Sequence, residues 1–278
     1  MGIQFTKMHG LGNDFMVVDA IHQAVNFKPA NIAELSRRDT GIGFDQCLLV
    51  EACELPGVDF FYRIFNANGQ EVGQCGNGAR CLARFVQHYG LINKTSITVA
   101  TSTTRMELHI NRDHTVTVDM GKPQLEPACI PLQALTAAPL YTIPLNEKTS
   151  CQVHAISVGN PHAVIRVSDL TQALVDDMGR QISEHALFPE QTNVGFMQII
   201  NPNHIHLRVY ERGCGETQAC GSGAVAAVAI GRLYHDLSAE VTVTLPGGEL
   251  TIRWPDINGS IFLTGPATFV YEGEIMNF

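Results

Sequence analysis

Two short stretches, around Cys75 and Cys220, hold the residues whose types and spacing suit chemistry. Each reads Cys-Gly-x-Gly (Cys75-Gly76-Asn77-Gly78 and Cys220-Gly221-Ser222-Gly223), and each precedes a run patterned as a helix. A thiol at a helix N-terminus meets unpaired N–H groups and the positive end of the dipole. Both favour the thiolate and lower a cysteine pKa from about 8.5 toward neutrality. The glycines let a ligand approach the backbone, where the remaining N–H groups can hold a carboxylate. Two such thiols, offered to opposite faces of one carbon, could invert a stereocentre. A thiolate would remove the α-proton of an amino acid, a thiol would return one from the other side, and the helix ends would stabilise the growing charge. The scheme needs one cysteine ionised and one protonated. Redox exchange between the two, or simple packing of cysteine as a small apolar residue, remains open on the local pattern.

Two matching turns need two matching frameworks, and the chain repeats itself. Residues 63–85 align without a gap on 208–230 at an offset of 145. This pairs Arg63 with Arg208, Glu71 with Glu216, Cys75 with Cys220, Gly76 with Gly221, Gly78 with Gly223 and Ala79 with Ala224. At 147, Leu-Gly-Asn (11–13) falls on Val-Gly-Asn (158–160); at 144, Thr98-Val99 falls on Thr242-Val243. Several matches in one order at a near-constant offset mark an internal duplication. Pro123, Pro127, Pro131, Pro139 and Pro144 lie between the halves, where residues without an N–H suit a connector. The expected domains are 1–120, completed by the C-terminal segment 263–278, and 121–262.

Alternating or β-branched runs predict strands at 14–20, 58–66, 96–101, 115–120, 153–158, 204–210, 240–245 and 249–254. Helices are expected from Pro29 to about Arg38, from Thr171 to His185, and at about 77–89 and 222–235. The last is small or apolar on every side from Gly223 to Ile230, so it must be buried. The expectation is therefore an α+β fold of two pseudo-symmetric domains. Each would wrap a mostly antiparallel sheet around a central helix, with the active site in the cleft between them.

Composition narrows the function classes. With 45% hydrophobic and 16% charged residues the chain is globular rather than disordered. Its 27 acidic and 18 basic side chains give a net charge of −9 without any Lys/Arg-rich run, which argues against nucleic-acid or anionic-membrane partners. No basic segment followed by an apolar one opens the sequence, and the longest apolar stretch, Ala224 to Ile230, is too short to span a bilayer. A cytoplasmic protein is expected, with its eight cysteines as reduced thiols. No metal site is expected. Cys-x-x-Cys is absent, Cys75 and Cys81 are six apart, and His204 and His206 alternate with no cysteine or acidic cluster beside them. Cys47, Cys53, Cys81, Cys129 and Cys151 read as structural or incidental, and Cys214 as inert packing.

The segments KMHGLGNDF (7–15), GIGFDQ (41–46), RIFNANG (63–69), QCGNGAR (74–80), GNPH (159–162), TNVGF (192–196) and ERGCGETQACGSG (211–223) follow one another in this order. Together they resemble the diaminopimelate epimerase family along essentially the whole chain. The related proline racemase and phenazine-biosynthesis isomerase groups share the duplicated fold but not this combination. The resemblance implies interconversion of LL- and meso-diaminopimelate, in lysine and peptidoglycan-precursor synthesis, with no cofactor: neither pyridoxal phosphate, metal nor nicotinamide. It implies that Cys75 donates and Cys220 accepts the proton in one direction, with roles exchanged in the other. The backbone of Gly76-Asn77 and Gly221-Ser222 would hold the reacting carboxylate. Asn13, Asn66, Asn160, Asn193, Glu211 and Arg212 would grip the distal amino-acid end, Gln46 would make another substrate contact, and His162 and Glu211 would influence catalysis. Family members are commonly homodimers, and closure of the domains on substrate is expected.

Read from the residues alone, each position has a plainer use. Asn13 and Asn160 suit glycine-rich turns, His162 could be a surface histidine, and Glu211–Arg212 could be a solvated charge pair. A racemase for another amino acid, or a non-enzymatic thiol redox or ligand-binding protein, fits the same turns.

Overall fold

The computed structural model describes residues 2–73, 75–146 and 148–276. The chain forms two compact units, Met1–Val118 with Gly265–Phe278, and Asp119–Thr264. In chain order the first elements are β1 (Ile3–Gly10), β2 (Asn13–Asp19), α1 (Pro29–Leu35), β3 (Gln46–Ala52), β4 (Phe60–Asn66), β5 (Glu71–Val72), α2 (Gly76–His88), β6 (Ser96–Ala100), β7 (Arg105–Ile110) and β8 (Val116–Asp119). There follow β9 (Tyr141–Pro144), β10 (Ser150–Ser157), β11 (Pro161–Arg166), α3 (Val175–Ser183), β12 (Asn193–Asn201) and β13 (His204–Glu211). The chain continues through β14 (Gly215–Thr217), α4 (Gly221–Tyr234), β15 (Glu240–Leu245), β16 (Gly248–Arg253) and β17 (Phe262–Gly265), and ends in β18 (Thr268–Ile275).

The first unit orders its strands β18-β1-β2-β3-β4-β6-β7-β8, antiparallel except at β2/β3 and β4/β6. The second orders them β9-β10-β11-β12-β13-β15-β16-β17, antiparallel except at β11/β12 and β13/β15. Parallel neighbours cannot be joined by a hairpin, so a helix spans each parallel step. These are α1 and α2 in the first unit and α3 and α4 in the second. The two topologies match element for element. The mixed, sheet-dominated α+β class is as the sequence predicts.

Each sheet is covered on both faces. In the first unit Met16, Val18, Cys47 and Leu49 pack with Ile32 and Leu35 of α1. Phe15 and Leu48, which alternate with them, press on α2 so closely that a Cβ at Gly78 would lie 3.2 Å from Leu48. In the second unit α3 supplies Val175 and Ile182 to a cluster with Val194 and Phe196, while α4 packs against β10, β11, β12, β13 and β16. Residues Gly223 to Gly231 of α4 are buried almost without interruption, as an all-round apolar helix requires.

Some bounds differ from the sequence reading. α1 stops at Leu35 rather than near Arg38, because Leu35 O accepts the N–H groups of Ile42 and Gly43, the latter at φ 73. α3 begins at Val175 rather than Thr171. The Asp169 carboxylate takes the Thr171 N–H (2.9 Å) and hydroxyl (2.7 Å), holding Leu170–Gln172 as a separate 3-10 turn. The proline-rich connector contains a strand, β9, whose partner is β10; an edge position tolerates the missing donor of Pro144. β1, β3 and β12 are strands without strict alternation, being buried on both faces over much of their length. No helix among the described residues is long and apolar enough to cross a membrane.

Candidate active site

In the first unit Cys75 is the N-cap of α2. Its backbone is extended (φ −153°) and its sulfur accepts the Gly78 N–H at 3.3 Å. The β1–β2 turn, with Leu11 and Gly12 at φ 57 and 88, brings Asn13 beside it. Asn13 Oδ1 accepts from Asn77 Nδ2 at 3.2 Å and lies 3.9 Å from the Cys75 thiol, which donates to it. In the antiparallel register of β3 and β4, Gln46 faces Asn66, and Gln46 Nε2 donates to Asn66 Oδ1 at 2.9 Å. Gln46 Oε1 is buried without a hydrogen-bond donor.

Behind Asn13 lies an ionic anchor that the sequence reading missed. Arg38 donates twice to Asp14, at 2.9 Å each, and once to Asp45 at 2.7 Å. The buried Lys7 donates to Asp14 at 2.7 Å and to Gly43 O. Burial alone pushes the Asp14 carboxyl up, but the hydrogen bonds and charges of Arg38 and Lys7 outweigh it and hold its pKa at about 2 against the ordinary 3.8. A depressed folded pKa stabilises above the unfolded value and is lost as pH falls through the folded one. Urea midpoints should therefore fall between about pH 4 and pH 2, and Asp14→Asn should remove that component, on the order of 1–2 kcal/mol. An unchanged profile in the variant would rule the anchor out.

The second unit repeats the arrangement. Cys220 is the N-cap of α4, accepts the Gly223 N–H at 3.4 Å and lies 3.6 Å from Ser222 Oγ. Asn160 Nδ2 donates to Ser222 Oγ at 3.4 Å, and Asn160 Oδ1 is 3.1 Å from His162 Nε2. His162 is only 1% exposed, which excludes the surface-histidine reading. Burial, reinforced by the Arg212 charge, pushes its pKa down to about 3, so it is neutral at physiological pH. With Asn160 Oδ1 accepting from Nε2, the proton sits there and the buried Nδ1 keeps a lone pair with no partner. Asn193 pairs with His162 across β11/β12, and its Oδ1 accepts the Arg212 N–H at 2.9 Å. Glu211 Oε1 accepts the Thr217 hydroxyl at 2.5 Å, and Arg212 Nη1 donates to Glu190 O at 3.0 Å.

Two thiol expectations are corrected. Burial, then the Glu211 charge, pushes the Cys220 thiol well above its ordinary value, outweighing the Gly223 N–H and Ser222 hydrogen bonds that favour the thiolate. A helix N-terminus lowers a thiol pKa only where desolvation does not dominate. Cys214, read as packing, is exposed, as is Cys129.

The structure thus gathers Asn13, Cys75 and Asn77 in one cluster and Gln46 with Asn66 in another. In the second unit it links Asn160, His162, Cys220 and Ser222, and sets Asn193 beside Arg212. Besides Lys7, Asp14 and Arg38, sequence reasoning passed over Thr217 and Arg80. Arg80 carried a signal, being a charge inside the QCGNGAR segment on a helix otherwise bound for the core. Among the described residues no grouping of three or more His, Cys, Asp or Glu is placed to hold a metal ion. His204 and His206 contact each other edge to face at 5.0 Å, and His204 bonds Thr244.

The family model described as diaminopimelate epimerase matches residues 5–126 and 154–270. The diaminopimelate epimerase of Legionella pneumophila strain Philadelphia 1 is 60% identical over 277 residues, covering 100% of both chains. That of strain Corby is 59% identical with the same coverage. The chain belongs to the diaminopimelate epimerase family. Both Cys-Gly-x-Gly turns of this diaminopimelate epimerase family member lie inside the matched segments. More distant solved structures share its fold. A hydroxyproline epimerase from Agrobacterium vitis, solved with trans-4-hydroxy-L-proline bound, has a TM-score of 0.70 at 12% identity, over 99% of this chain and 92% of that one. A phenazine biosynthesis protein of the PhzF family from Bacillus anthracis has a TM-score of 0.69 at 16% identity, over 100% of each chain.

Proposed function

We propose that this protein interconverts LL-2,6-diaminopimelate and meso-2,6-diaminopimelate, for lysine and peptidoglycan-precursor synthesis, by a two-base thiol mechanism without a cofactor. The observation that carries the proposal is the placing of Cys75 and Cys220 as N-caps of equivalent helices in a repeated fold. Likeness to named epimerases along the full length supports the substrate.

The chemistry follows from the groups present. One sulfur, as thiolate, takes the α-proton and becomes a thiol. The carbanion, delocalised into its carboxylate, lies at the N–H groups of Gly76-Asn77 and Gly221-Ser222, where helix ends favour negative charge. The other thiol delivers its own proton to the opposite face and is left as the thiolate. One proton has crossed the carbon, and the two sulfurs have exchanged states. In one direction Cys75 donates and Cys220 accepts; the reverse reaction exchanges them. Geometry demands that both sulfurs flank the α-carbon, so the reading makes the halves 1–120 (with 263–278) and 121–262 the two walls of the site. Asn160 orients His162, whose free Nδ1 can receive a hydrogen bond near the reacting end. The distal centre is a zwitterion. Its carboxylate suits Arg212, and its ammonium suits Glu211 with the amide oxygens of Asn13, Asn66, Asn160 and Asn193, while Gln46 makes a further substrate contact. A substrate lacking that centre would leave buried polar groups unpaired and be rejected. The same reading makes the protein a cytoplasmic homodimer.

The test is to incubate the reduced protein with LL-diaminopimelate in deuterated water. Deuterium should enter the α-position as meso product accumulates. No exchange in the wild-type protein would sink the proposal, and exchange with proline but not diaminopimelate would point to a racemase for another amino acid.

A further inference from the structure

Among the described residues Arg80 is the most deeply buried Lys or Arg, with Lys7 next. It lies in the first half of α2, five residues beyond Cys75, and is 0% exposed. Its Nε donates to Pro266 O at 3.1 Å, and its Nη1 lies 3.5 Å from Gly76 O. Nη2 is buried with no hydrogen-bond partner, and a Cβ at Gly10 would come within 3.0 Å of it. No carboxylate among the described residues pairs with this guanidinium. It rests between the β1 backbone and the same first turn of α2 that the Cys75 sulfur caps.

A buried charge with only carbonyl partners is unfavourable unless an opposite charge lies near. Burial pushes the Arg80 guanidinium below its ordinary value, and the Cys81 and Cys75 sulfurs, in that order, push back. Cys81 cannot serve as the anion, because its own burial pushes its thiol up to about 12. Tyr62, on β4, also faces Cys75, and burial keeps its phenol neutral. That leaves Cys75, partly buried and already accepting one N–H, as the group whose ionisation Arg80 rewards.

The duplication sharpens the point by showing what its other half does differently. The offset of 145 sets Arg80 against Val225 and Asn66 against Glu211. Where the first unit has a buried cation beside its thiol, the second has an aliphatic side chain. Where the first has a neutral amide, the second has a carboxylate, whose charge acts on Cys220. These two exchanges bias the two sulfurs in opposite directions.

We propose that Arg80 is a positioning residue for Cys75, its buried guanidinium supplying the charge that lets Cys75 rest as the thiolate while Cys220, beside Glu211, rests as the thiol. The inference rests on Cys75 and Cys220 being the reacting pair, and it says which of them is poised as base in the free enzyme.

Thiol acidity can be read without substrate or turnover. The full-length reduced protein is pulsed with iodoacetamide across a pH series, and the peptides carrying Cys75 and Cys220 are quantified by mass spectrometry. Cys75 should ionise at the lower pH in the wild type. Arg80→Met should raise the Cys75 midpoint by about one pH unit, slowing its alkylation at neutral pH about tenfold. Cys220 should not move, and Arg80→Lys should restore the Cys75 midpoint. An unmoved Cys75 midpoint, or equal shifts at both cysteines, overturns the proposal. If Arg80→Met does not fold, the wild-type order decides, and a Cys220 more acidic than Cys75 overturns it. Failure here leaves the epimerase reading intact, whereas missing solvent exchange with diaminopimelate would defeat that reading and leave the Arg80–Cys75 coupling measurable.

Discussion

Alanine at either Cys75 or Cys220 should lower epimerisation by about 10²–10⁴-fold, the range expected when a positioned acid or base is deleted. The fold should survive. At Cys75 the losses include one capping acceptor, since its sulfur takes the Gly78 N–H, and the thiol bond to Asn13; a lost cap costs about 1 kcal/mol. The single variants also separate two events that the wild type couples. With one sulfur removed, the other can still take a proton from its own side and return it, so exchange of one epimer with solvent can outlast inversion. Isotope incorporation followed beside chiral analysis of the product distinguishes the two. Cys214→Ala, at an exposed position, is the control and should epimerise normally. A Cys220→Ala variant that still inverts the centre at wild-type rate would refute the two-base scheme.

The largest stability loss is expected at Trp254. This side chain is 2% exposed, immediately after β16, and it closes several contacts at once. Its Nε1 donates to Gly259 O at 3.2 Å, its backbone N–H donates to Ala239 O at 2.7 Å, and the Arg232 guanidinium lies 5.6 Å from its ring. Trp254→Ala leaves a cavity of indole size, orphans the Gly259 carbonyl and removes the face beneath Arg232. Large-to-small aromatic deletions of this kind cost about 3–5 kcal/mol. Urea unfolding should show it, and Trp254→Phe should recover much of the apolar part while leaving the carbonyl unpaired. A change below about 1 kcal/mol in Trp254→Ala would mean that the site collapses around the missing ring.

Much of this was legible in the sequence, for identifiable reasons. The Cys-Gly-x-Gly turns announce helix starts, and α2 and α4 begin one residue before the expected positions, with cysteine as the cap in each. β15 was legible at both ends because one of its faces is buried and the other is not, leaving a clean alternation. β3 was not, because Cys47 to Val50 is buried on both faces and carries no period. The sites divide in the same way. Residues in repeated, glycine-flanked segments could be named. The Lys7–Asp14–Arg38 anchor could not, because Arg38 lies 24 residues beyond Asp14 and nothing in the local pattern of either segment shows that the fold joins them. The state of Cys220 escaped for a related reason. A motif shows the N–H groups that lower a thiol pKa but not the burial and the Glu211 charge that raise it.

The first unit is built from two segments that flank the whole of the second, and this sets an order in time. β18 runs along β1, with Ile3 opposite Ile275, and Phe5 packs edge to face on Tyr271 at 6.0 Å. A ribosome delivers β1 before the second unit and β18 only after it. Throughout synthesis the outer edge of β1 has its unpaired backbone groups waiting, an open template of the kind that invites wrong partners. The second unit, contiguous from Asp119 to Thr264, can finish first. The half that carries Cys75 is begun before the other and completed after it, because Gly265 and the residues that follow, which close its sheet, emerge only once the whole of the second unit has been made.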